Sequence, residues 1–83
     1  MVKIPDTVKR LPERWSKWLQ SQPETGMGYQ TVDVVLRDGS ITRDVAIIEC
    51  HLIGEVRGQH DVQFDPNDIS EIRLTHNKWT FRR

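Results

Sequence analysis

The chain predicts a mostly β fold: an N-terminal helix followed by a five- or six-stranded, strongly bent antiparallel sheet or small barrel. Three observations carry that expectation. Apolar residues alternate with others through Val32, Val34 and Leu36, and again around Ile41, Val45 and Ile47, which is the period of a half-buried strand. Asp38-Gly39 separates the two runs with residues that tolerate positive φ, as a tight hairpin requires. Upstream, Leu11, Trp15, Trp18 and Leu19 recur at i, i+4, i+7 and i+8, one stripe of a helix.

The helix is expected over residues 12–21. Pro12 fits only a first turn, because it lacks an N–H and fixes φ. Asp6-Thr7 is a candidate cap for a short turn before it, and Pro23 with Gly26 ends it. Arg10, Arg14 and Lys17 form a basic flank beside the apolar stripe. The expected hairpin spans residues 29–48. A two-residue turn sets Leu36 opposite Ile41, Val32 opposite Val45 and Asp33 opposite Asp44. One face then gathers Val32, Val34, Leu36, Ile41, Val45 and Ile47, with Arg43 alone out of place. A three-residue turn with a bulge at Gly39 pairs Asp33 with Arg43 instead, but scatters the apolar set. Each buried Val or Ile is worth roughly 1.5–3 kcal/mol, against at most about 1 for an exposed like-charge pair, which favours the two-residue register.

Beyond the hairpin, Gly54 and Gly58 imply a loop or short bent strand over 52–57. A strand follows at 61–64 with Val62 and Phe64 facing in. Residues 65–68 read as a capped turn, with Asp65 as cap. Ile69, Ile72 and Leu74 mark another strand, His76-Asn77 a turn, and Lys78 to Phe81 a last edge strand with Trp79 and Phe81 on the core side. The 83 residues make one domain, with helix and linker over 1–28 and a β-barrel over 29–83.

Composition narrows the class. The chain is 36% hydrophobic and 29% charged, the balance of a globular domain. One cysteine, Cys50, leaves no internal disulfide to form and suits a reducing compartment. The opening residues contain no apolar signal region, and no run reaches the length of a membrane span. A cytoplasmic protein is expected. Net charge is zero but segregated: +3 over residues 1–22, −6 over 23–77 and +3 over 78–83. A neutral total is a poor match to wholesale nucleic-acid binding, whereas basic ends and an acidic middle suit docking on self or on a neighbour.

Val32-Asp33-Val34-Val35-Leu36-Arg37-Asp38-Gly39 resembles the opening of the first Sm motif, where alternating apolar residues lead into a basic-Asp-Gly turn. A preceding helix is also an Sm-like feature, and the resemblance covers about half the chain. It implies an SH3-like or Sm-like barrel that assembles through its edge strands. The chain departs from the motif after Gly39: Asp44 stands where the family has Gly, and Cys50 to Gly54 lacks its Asp and Asn. Val56-Arg57-Gly58 is of the second motif's type but sits a strand too early. The family's base-binding residues are carried to no position here.

Chemistry-bearing groups are few. Cys50, His51, His60 and His76 match no zinc spacing, and a small buried thiol with three surface histidines accounts for them. Adjacent Cys50 and His51 on a strand point to opposite faces, which disfavours a nucleophile pair. Asp33 and Asp44, opposed across the hairpin with Arg43 on the other face, read as two solvated carboxylates rather than an acid/base or cation site. Asp65-Pro66-Asn67-Asp68 lacks the spaced ligands of a calcium loop. No phosphate loop, catalytic triad or dinucleotide fingerprint appears, so no enzyme, cofactor or metal is expected. The leading expectation is a non-catalytic interaction module with a protein partner, self-associating through edge strands. The alternative is RNA or single-stranded DNA binding by a patch of Arg10, Arg14, Lys17, Lys78, Trp79, Arg82 and Arg83, basic residues interleaved with an aromatic. That patch requires the helix and the C-terminal segment to lie side by side.

Overall fold

The computed structural model describes residues 9–58 and 62–79. In chain order it has β1 (Lys9–Arg10), α1 (Glu13–Gln20), β2 (Tyr29–Leu36), β3 (Ile41–Ile48), β4 (Leu52–Val56), one 3₁₀ turn (Pro66–Asp68) and β5 (Ile69–Leu74). The five strands form one antiparallel sheet in the order β1-β4-β3-β2-β5, strongly curled into a half-barrel. The expected fold class holds.

The hairpin occupies its expected span, yet its register differs. Val32 does face Val45, but Val35 rather than Leu36 faces Ile41, and Val34 faces Thr42. The turn is the three-residue kind. Gly39 N–H donates to the Leu36 carbonyl and Leu36 N–H to the Ser40 carbonyl, both at 2.9 Å, with Gly39 at φ 90°. The apolar face is not scattered, because a second bulge sits at Arg43-Asp44, opposite the single residue Asp33. Asp44 takes φ 55° there. The extra residue resets the alternation, so Val45 and Ile47 join Val32 and Val34 in the core while Arg43 turns out to solvent. The cost is Ile41, which leaves the core face and is 42% exposed. Keeping a guanidinium out of the core outweighs half-exposing one isoleucine.

At the turn itself, the Asp38 carboxylate accepts Ser40 N–H at 2.9 Å and Ser40 O–H at 2.6 Å. The Ser40 hydroxyl bond, then the backbone bond, lowers the Asp38 carboxyl below its ordinary 3.8. A group lowered on folding contributes stability that is full above its unfolded value and lost as pH falls through the folded one. The expected result of Ser40→Ala is an upward move of the Asp38 titration toward 3.8, read from side-chain carboxyl NMR shifts. An unchanged midpoint would refute this account of the turn.

β3 ends at Ile48. Glu49 and Cys50 hold φ 52° and 63°, and His51 N–H returns to the Ile48 carbonyl at 3.0 Å. β4 then carries an unpaired Gly54, the bend foreseen from its glycines. Residues 62–64 are not a strand as expected, although Val62 and Phe64 are buried; Asp61 lies outside the described residues. An extended segment buries alternate side chains without joining a ladder. Asp65 caps the 3₁₀ turn by accepting Asn67 N–H at 2.9 Å.

α1 keeps close to its expected limits, with Pro12 as its N-cap and Ser21 as its C-cap. Eight residues are too few to be helical alone, so packing must hold them. Leu11, Leu19 and part of Trp15 enter the core, and Ser16 is buried beside them. Trp18 is 38% exposed and meets Trp15 edge to face at 6.2 Å. The helix C-terminus is satisfied from the sheet: the Gln30 amide Nε2 donates toward the carbonyls of Leu19, Gln22 and Pro23, at 3.0, 3.3 and 3.2 Å.

Candidate interaction surfaces

Among the described residues, the basic side chains singled out in the sequence do not gather into one patch. Arg10 belongs to β1, facing Leu52, and not to the helix flank. Arg14 is engaged within the fold: its guanidinium donates to the Ile69 carbonyl at 3.1 Å and stacks 5.4 Å from the Trp15 ring centre. Lys17 is exposed and pairs with Glu13 at 3.3 Å along the helix. Lys78 is exposed, and neither it nor Trp79 lies in a strand, contrary to expectation. Phe81, Arg82 and Arg83 lie outside the described residues, as do Asp6, Thr7 and His60.

Trp79 does not pack on the core side either. Its Nε1 donates to Glu55 Oε2 at 3.4 Å, and Arg57 lies 5.8 Å from its ring centre. Glu55 faces Ala46, which faces Thr31, and these three residues alternate with core members Val56, Val45 and Val32. They therefore lie on the outer face of the sheet. α1 covers the inner face through Leu19, and residues 75–79 cross the outer one.

That outer face holds a tied polar network. Asp33 accepts Asp44 N–H at 3.1 Å and an Arg43 N–H at 3.4 Å. Asp44 in turn accepts from Arg57 at 3.5 Å and from the Asn77 amide at 3.1 Å. The expectation that Arg43 leaves the two carboxylates unneutralised is thus overturned, and the bulge that turned Arg43 outward is the reason. Each carboxylate has its own arginine, which removes the like-charge pressure an acid/base pair needs. His76, at φ 56°, hydrogen-bonds Thr25 Oγ1 at 2.6 Å, and its N–H and that of Thr75 both reach the Thr31 carbonyl. The network fastens the C-terminal segment down. Among the described residues no three His, Cys, Asp or Glu side chains gather as a metal site.

An open groove of about 600 Å³ lies between α1 and the β3–β4 turn, lined in part by Leu19, Glu24, Glu49, Cys50 and His51. His51 Nδ1 is hydrogen-bonded to the buried Ser16 hydroxyl at 2.6 Å, and the Cys50 thiol donates to Gln30 Oε1 at 3.4 Å. Burial pushes the Cys50 thiol up, and the carboxylates of Glu24 and Glu49 add to the shift. Less thiolate at neutral pH means a weak nucleophile. Both side chains serve to join the turn to its neighbours.

Among the described residues, β5 is the longer of the two edge strands. This strand ends the sheet order, and among the described residues it pairs with β2 alone. Val32 faces Leu74, Asp33 faces Arg73, Val34 faces Ile72 and Val35 faces Glu71. Thr75 N–H donates to the Thr31 carbonyl at 3.1 Å, the bond that brackets a non-hydrogen-bonded pair at Val32–Leu74. By alternation, Glu71 and Arg73 direct their N–H and C=O groups at β2, whereas Ile72 and Leu74 direct theirs away from it. At the start of the strand, Ser70 is the extra residue of a bulge and Arg14 occupies the Ile69 carbonyl. Residues 71–74 remain regular. The sequence reading names none of Glu71, Ile72 and Arg73 as a site. A Glu-Ile-Arg triplet was visible, but only the strand order shows that it lies on an edge. No family model matches this chain, and no match to it was found among curated proteins or among solved structures.

Proposed function

We propose that the chain is a non-catalytic interaction module that associates with a second copy of itself through the open edge of its sheet, in a reducing, cytoplasmic setting. The observation that carries this reading is the regular stretch 71–74 of β5, whose outward N–H and C=O groups have no strand beside them among the described residues. Such an edge is a template for another strand unless a bulge, a covering element or a charge blocks it. Here the bulge and the Arg14 contact protect only the first two residues. The helix followed by a curled sheet is in keeping with an Sm-like or SH3-like barrel, and that kinship is part of the proposal.

The alternative, nucleic-acid binding by merged basic ends, has less in its favour. Arg14 is occupied, and α1 and Trp79 lie on opposite faces. Size-exclusion chromatography with light scattering over a range of protein concentrations tests self-association. Mass rising from monomer toward dimer is expected. A strict monomer at high concentration, indifferent to salt, overturns the reading, and strong retention on a polyanion column at low salt would favour the alternative.

A further inference from the structure

We propose that two copies pair β5 against β5, antiparallel, about a two-fold axis through Ile72, so that Glu71 of each copy faces Arg73 of the other. This rests on the self-association reading and gives it a register.

The backbone permits few registers. Residues that exchange bonds across the new junction must have outward N–H and C=O groups, which limits the bonded positions to Ile72 and Leu74 and, where the bulge allows, Ser70. An axis at Ile72 sets its N–H and C=O against the same groups of the second copy. The flanking pairs, Glu71 with Arg73 and Arg73 with Glu71, are then non-hydrogen-bonded positions, where Cα atoms approach to about 4.5 Å and side chains interact most closely. An axis at Arg73 also satisfies the backbone but opposes two arginines. An axis at Leu74 sets Arg73 against Thr75 and Glu71 against Asn77, with no charge pairing. Only the first register is self-complementary in charge.

The two side chains are already suited to the exchange. Arg73 Nε and Glu71 Oε2 bind each other at 2.6 Å within one strand, and both are exposed. Pairing two copies swaps the one contact within each strand for two equivalent ones across the junction, so no charge is buried alone. The junction is isologous: it uses the same edge twice and closes at a dimer rather than a fibre.

The experiment uses Glu71→Arg and Arg73→Glu in the full chain, with folding checked by circular dichroism. Each variant alone opposes like charges at both pairs, and a loss of roughly tenfold or more in dimer affinity is expected. An equimolar mixture restores opposite charges at both pairs, and a heterodimer of wild-type affinity is expected by light scattering. A second measurement covers a variant that fails to fold: with Cys50→Ser in both chains, Glu71→Cys and Arg73→Cys are mixed and oxidised. The disulfide-linked heterodimer is expected in excess over either homodimer. If wild type dimerises and neither the charge reversals nor the cysteine pair behaves as stated, this register is overturned while self-association stands. If wild type never dimerises, both fall.

Discussion

Gln30→Leu is expected to lower stability by about 2–4 kcal/mol, from urea or thermal unfolding, although leucine fills similar space. Gln30 is buried on β2, and its amide is the donor shared by three carbonyls at and beyond the end of α1. Its Oε1 accepts the Cys50 thiol, so one side chain joins helix, hairpin and β3–β4 turn. An apolar replacement takes their donor from the Gln22 and Pro23 carbonyls, while the Leu19 carbonyl keeps Gln22 N–H. The cost is their desolvation rather than one bond. Gln30→Glu should lose more at neutral pH, since a carboxylate would face three carbonyl oxygens. Part of that loss should return on acidification, which supplies a donor. A Gln30→Leu protein as stable as wild type would show that the amide bonds are incidental.

Leu19→Ala should cost about 2–5 kcal/mol, the range for removing a fully buried leucine from a packed core. Leu19 has no exposed surface and seats α1 in the sheet's concavity with Leu11 and Trp15. Against a total of about 4–12 kcal/mol for a domain of this size, that is enough to populate the unfolded state at moderate temperature. The control is Trp18→Ala, expected to cost well under half as much. Trp18 is partly exposed, and its main partner is the edge of Trp15. Equal losses at the two positions would mean that the helix is seated on a different face. The melting temperatures of the pair give the comparison directly.

How much of this could be read from residues alone depends on what kind of signal each feature leaves. The limits of α1 and of the hairpin were legible because prolines, glycines and a change of period mark them locally. The register was not. The residues allow two ladders, and the fold joins parts of both: it takes the three-residue turn, then inserts Asp44 at positive φ and so keeps both the apolar face and an exposed Arg43. A bulge of that kind leaves no residue signature when its left-handed member is Asp. Val62 and Phe64 were legible as buried but not as strandless, since alternation reports facing and not hydrogen bonding. The candidate interaction edge was the least legible feature. Which strand ends the sheet is set by long-range pairing of β2 with β5, across some 40 residues of chain.

The bulges described above bear on which changes the chain can absorb. All three long ladders, β2–β3, β2–β5 and β3–β4, contain one unmatched residue. The inserted residues differ in kind, Ser70 in one ladder and Gly54 in another, so no single residue type makes the curl. Loss of a residue is another matter. Deleting Ala46, between two inward residues, would carry Ile47 to the outer face at a stroke, whereas deleting one of Arg43-Asp44 would remove the bulge and leave Val45 opposite Val32. Between the bulges, spacing is what drift must conserve, because a single-residue gap there turns every later side chain over, whereas a gap at a bulge only straightens the ladder.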